Sequence, residues 1–230
     1  MRILTDAAQK IRAFNDLSND DPRDYHLVLL AREGEKSLVD SHGNVSDKLL
    51  AMIDKALRGY FMMNRGSRMG SKEEFVNKLR NKLASYETKR ILATLRDVTI
   101  ISPSLEDYKL DVEKLYESLS NCEDGLSVDG SYFCVGTTKL MHCLLPELMV
   151  MLDQNVGKTV LNYSPGQYNN SVSYWKVMKI CRDELMEWQR RCGSTSSLRN
   201  LDCEPTTLTR IFDKCAFIMA YWASKKPRQC

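Results

Sequence analysis

No apolar run in this 230-residue chain approaches the ~20 residues that crossing a bilayer requires. The first residues, MRILTDAAQKIRAFND, meet charge early and lack an apolar stretch followed by a small-residue cleavage site, so no secretion signal is read there. The eight cysteines form no C-x-x-C pair, and the three histidines, His26, His42 and His142, lie far apart. That spacing argues against a disulfide framework and against zinc. Cys134, Cys143, Cys181 and Cys215 sit among apolar neighbours, where reduced thiols pack as small hydrophobes. The expectation is a soluble chain from a reducing intracellular compartment, with no cofactor and no membrane partner. Internal repeats, low-complexity tracts and Walker-type glycine spacing are absent too.

What is present is helical periodicity over a 43% apolar composition, enough for a core. Leu49, Leu50, Ile53, Leu57, Tyr60 and Phe61 recur at helical spacing after Ser46, and the run stops near Asn64-Arg65-Gly66. Ser71 with Glu74 has capping-box spacing ahead of Phe75, Leu79 and Leu83. Ile91, Leu92 and Leu95 extend or restart that helix, and Val98 to Ile101 reads as a short strand or extended connector. A further helix is expected from Ser104, with Val112, Leu115 and Leu119 on one side. Near Leu144-Leu145-Pro146 one helix should end and a second begin, with the proline in its first turn. Two long amphipathic helices are expected around Val177 to Trp188 and Leu208 to Trp222, joined by a polar linker. Only Tyr25 to Ala31 has a continuous apolar run suggesting a strand. The fold class is therefore mostly α, as two packed helical lobes, 1–120 and 121–230, or one continuous domain, with at most a minor β element.

Net charge is only +3, yet its distribution is uneven. Between Arg58 and Arg96 ten basic residues face three acidic ones; between Asp97 and Gly130 two face nine. Such a basic flank suits phosphates or an acidic protein surface, and equally the solvated side of amphipathic helices. The loop RGSRMGSK adds Arg65, Arg68 and Lys72 beside a helix start, a weak phosphate-binding pattern.

The most distinctive stretch is VGTTKLMHCLLPELMVMLDQNVGK, residues 135–158. Lys139 and Asp153 sit at the two ends of its apolar body, and an amine and a carboxylate near one hydrophobic surface are costly unless paired or used. The plainer alternatives are a surface lysine, a hydrogen-bonded core histidine at His142, and a helix-capping aspartate.

The V-G-x-x-K of Val135 to Lys139 and the D-x-x-V-x-K of Asp153 to Lys158 resemble the hairpin lysine and following aspartate of the helix-hairpin-helix DNA glycosylase superfamily. The resemblance covers about two dozen of the 230 residues. It implies that Gly136 approaches a DNA phosphate, that Lys139 is the amine nucleophile, and that Asp153 stabilises the sugar cation as a flipped base departs. Thr138, His142 and Lys158 would join Arg65, Arg68 and Lys72 along the nucleic-acid surface. Either Lys139 or Thr138 falls at the family's lysine position; a threonine there leaves only aspartate-dependent base removal. Tyr163, Tyr168, Tyr174 and Trp175 would stack on bases or pack between helices. The expected function is nucleic-acid binding with DNA-glycosylase-like base removal, with DNA or an acidic protein surface as partner. The alternative is a non-catalytic helical module that binds protein or nucleic acid. The oligomeric state is not legible.

Overall fold

A computed structural model describes residues 3–17, 39–59, 69–120, 126, 134–152, 156–157, 162, 170–202 and 206–225. Nine α-helices occur among them: α1 Ala7–Leu17, α2 Asp47–Arg58, α3 Lys72–Leu83, α4 Tyr86–Leu95, α5 Lys109–Ser120, α6 Cys134–Leu144, α7 Ser171–Cys192, α8 Ser196–Arg199 and α9 Leu208–Lys225. The only β pairing among the described residues is an isolated bridge between Val39 and Val45. The fold is mostly α, as the periodicity implies. The strand read at Tyr25 to Ala31 lies outside the described residues.

Several helix starts follow from side-chain oxygens that satisfy otherwise orphaned main-chain N–H groups. Ser46 accepts from the Leu49 amide, Ser71 from Glu74, Ser85 from Thr88 and Asn170 from Ser173. Ser85 settles the reading at Ile91 to Leu95: α4 is a new helix, started one residue after α3 is capped at Ala84. Ser104 makes no such bond; a 3-10 turn over Leu105–Tyr108 precedes α5 instead. Gly193 ends α7 in the left-handed conformation, with φ of 77°, where glycine escapes the Cβ penalty. The polar linker after it carries the single-turn helix α8.

Each long helix buries one stripe. α3 buries Phe75, Leu79 and Leu83, and α5 buries Val112, Leu115, Tyr116 and Leu119. α1 packs on α9, α5 on α7 and α6, and α2 on α3 and α6. One hydrophobic cluster draws residues from α1 through α9, so both halves of the chain contribute to the same core. The side chains of Cys143, Cys181 and Cys215 are buried thiols within or beside it. Burial raises Cys181 well above its ordinary range and Cys215 to about 12, so both stay protonated and unreactive at neutral pH.

The second helix expected at Pro146 does not form. α6 ends at Leu144, a turn follows, and residues 149–152 run without helix. Leu148, Met149, Val150, Met151 and Leu152 are all buried, and a short apolar run of this kind has the same composition whether helical or extended. The non-helical course leaves main-chain carbonyls in a dry interior, and each needs a partner.

Candidate functional site

Among the described residues, four separated side chains and one main-chain amide meet the largely buried 145–152 segment. Thr138 Oγ1 accepts from the Leu152 amide at 3.1 Å and donates to the Val135 carbonyl at 3.0 Å. His142 Nδ1 lies 2.7 Å from the Met149 carbonyl. A carbonyl only accepts, so Nδ1 carries the proton. The Tyr174 hydroxyl donates to the Val150 carbonyl at 2.9 Å, and Thr209 Oγ1 donates to the Pro146 carbonyl at 2.5 Å. Thr207 sits 3.0 Å from Thr209. Because the Thr209 proton is directed at Pro146, the Thr207 hydroxyl is the donor of that pair. The Ile100 amide donates to the Glu147 carbonyl at 2.9 Å.

This arrangement is a brace: α6, α7 and α9 each send one or two polar side chains into the core to meet a stretch of backbone that has no helix or sheet of its own. Burial and these bonds set the local electrostatics. Desolvation drives the Tyr174 hydroxyl far above its usual range, against the opposing bond to Val150, so it remains a neutral donor. Tyr174 also stacks on Tyr116, with centroids 5.1 Å apart.

Of the residues singled out in the sequence, Thr138 and His142 are 1% and 0% exposed. They are committed to main-chain groups fourteen and seven residues away, respectively, and neither presents a surface to a phosphate in this conformation. Gly136 lies inside the first turn of α6 and is buried. Lys139 is half-buried on the same helix. Asp153, Lys158, Arg65 and Arg68 lie outside the described residues, so the pairing of Lys139 with Asp153 has no geometry to report. Lys72 is exposed at the first position of α3, far along the chain from α6. Tyr174 and Trp175 pack in the interior; Tyr163 and Tyr168 lie outside the described residues.

Among its described residues the basic flank carries several ion pairs. Arg58 meets Asp54 at 2.7 Å, Lys78 meets Glu74 at 3.2 Å, and Arg80 meets Asp47 at 2.9 Å. Arg90 meets Asp111 at 2.9 Å, Arg96 meets Asp97 at 3.1 Å, and Lys82 donates to the Ser118 carbonyl at 3.0 Å. Four of these carboxylates lie outside the Arg58 to Arg96 window, so the local count overstates the unpaired charge among its described residues.

No group of histidine, cysteine and acidic side chains among the described residues is arranged to hold a metal ion. No helix among them is long and apolar enough to cross a membrane.

Tyr174 and Thr209 were not recognisable as partners of this segment from sequence. Each occupies an ordinary inward position on an amphipathic helix, and the only signal is a polar atom where an apolar one would serve. No family model, curated protein or solved structure matches the chain.

Proposed function

We propose that this chain is a non-catalytic helical interaction module, organised around a braced internal segment and presenting its helices to a protein partner. The observation that carries the reading is the commitment of Thr138 and His142, the two most distinctive polar side chains of the candidate site, to the main chain of Leu152 and Met149. A hydroxyl and an imidazole used this way satisfy buried backbone, a role that needs no reacting partner. The pairing of the basic flank supports a protein partner over nucleic acid, since a lysine or arginine already neutralised by a carboxylate releases few counterions from DNA.

The test is borohydride trapping on DNA containing an abasic site, run beside a salt titration of DNA binding. The reading expects no adduct and a shallow salt dependence. An adduct that disappears in Lys139→Ala would overturn it and restore the lysine nucleophile.

A second reading retains some support. The brace holds the main chain in register up to Leu152, the residue before Asp153 in sequence, and a fixed approach suits a carboxylate that must stabilise a sugar cation. Under that reading base removal depends on Asp153 alone. Base release from damaged or mismatched duplex DNA that Asp153→Asn abolishes, with no trapped adduct, distinguishes it from the first.

A further inference from the structure

The N-terminal helix is tied to a turn almost two hundred residues away in sequence. Asn15 near the end of α1, Asp202 in the turn after α8, and Lys214 in the second turn of α9 form a closed ring. Lys214 Nζ donates to Asp202 Oδ2 at 2.6 Å and to Asn15 Oδ1 at 3.0 Å, while Asn15 Nδ2 donates to Asp202 Oδ1 at 3.2 Å. The Lys214 and Asp202 side chains are 6% and 0% exposed. Beside the ring Arg210 pairs with Asp213, and the Arg210 and Lys214 cations stand 5.0 and 5.3 Å from the centre of the Phe14 ring.

α1 buries Ala7 and Ile11, one turn apart, and Ile3 and Leu4 in the turn just before it are buried too. This side faces a helix whose own buried surface is long and mostly apolar, Leu208, Ile211, Phe212, Cys215 and Ala216 among it. Apolar stripes alone permit a slip of one turn, ~5.4 Å along the axis. The ring does not permit it, because a slip would remove Asn15 from two charged groups that have almost no access to water. Stripping a partner from a buried charge is far more costly than losing apolar contact of similar size. The helix leading into the turn is anchored as well: Arg199, the last residue of α8, makes a two-pronged bond to Glu147, at 3.1 and 2.8 Å, on the braced segment.

We propose that α1 is a strap coupled to the 200–202 turn, so that the two seat and release as one unit. Opening α1 takes Asn15 from Asp202 and Lys214 and admits water to both, which loosens the turn; opening the turn takes Asp202 from α1. Units of this kind exchange their amide hydrogens together.

The test is hydrogen exchange followed by mass spectrometry on the whole chain, in two variants. Asn15→Ala removes the α1 member of the ring. Ala8→Gly weakens α1 without touching the ring. In each, the amides of α1 and of residues 196–202 are expected to exchange faster together, by roughly ten-fold for Asn15→Ala, while α4 and α5 keep the wild-type rate. Acceleration confined to α1 in either variant would overturn the coupling. So would no change in either region, or a uniform acceleration that includes α4 and α5, which would mark a general loss of stability.

Discussion

His142 Nδ1 donates to the carbonyl of Met149 across 2.7 Å, with both residues wholly buried. The bond spans the turn that follows α6, so the helix carrying the imidazole also holds the chain that leaves it. Removing the donor leaves a carbonyl in a dry interior, at a cost of about 1–3 kcal/mol. His142→Leu is expected to lower stability by that amount in urea unfolding, with an unchanged dependence on denaturant. His142→Asn, whose amide can reach the same carbonyl, is expected to recover part of it.

Tyr174→Phe removes one atom and leaves the ring stacked on Tyr116. The Val150 carbonyl then loses the donor that holds it at 2.9 Å, and the expected loss is about 1–2 kcal/mol. Thermal and urea unfolding should agree. A neutral result would mean that water or another group meets this carbonyl.

Two glycines share a backbone conformation and differ in surroundings, which separates two costs. Gly43 has φ of 77°, and a Cβ there would lie 1.8 Å from the Lys89 carbonyl oxygen. Gly193 also has φ of 77°, with nothing within 4 Å of such a Cβ. Gly193→Ala should cost only the left-handed backbone penalty, about 1–2 kcal/mol. Gly43→Ala must in addition push the turn off α4, and its loss in unfolding measurements is expected to be clearly the larger. Equal losses would contradict the close approach of the turn to Lys89.

Thiol chemistry should divide by burial. Site-resolved mass spectrometry after a maleimide pulse is expected to find Cys192 labelled in the native state, and Cys143, Cys181 and Cys215 labelled only after unfolding. The pH dependence has a definite sign. The Cys215 thiol is raised from 9.0 to about 12 on folding, chiefly by desolvation. Above pH 9 the unfolded chain has lost a proton that the folded chain keeps, so this group's contribution is complete below pH 9 and declines as pH rises toward 12. Cys215→Ala should therefore lose less stability than wild type between pH 9 and pH 11.

The helices were legible because their stripes and caps are local: Ser71 beside Glu74, or Phe75, Leu79 and Leu83, lie within a few residues of one another. The segment after Pro146 was not, since the apolar run of five residues from Leu148 to Leu152 is too short to show whether it is helix or irregular buried chain. Its supports, Tyr174 and Thr209, come from helices that begin dozens of residues later. The pairing of the charges in the 58–96 stretch was not legible for a similar reason. Asp47, Asp54, Asp97 and Asp111 lie outside it in sequence and reach it only in the fold. Thr138 and His142 stand out in the sequence for their position, yet a polar residue at an inward helical position reads alike whether it meets a ligand or a carbonyl.

The measurement closest to the central claim compares Thr138→Val with Thr138→Ser by urea unfolding. Valine matches threonine in shape but offers the Leu152 amide no oxygen, whereas serine keeps the oxygen and loses a methyl group. If Thr138 serves as a brace, the valine variant is less stable than wild type by about 1–3 kcal/mol, and serine falls by only about 1 kcal/mol. A valine variant as stable as wild type, or serine as damaging as valine, would contradict the account and leave the polar residues of α6 in need of another purpose.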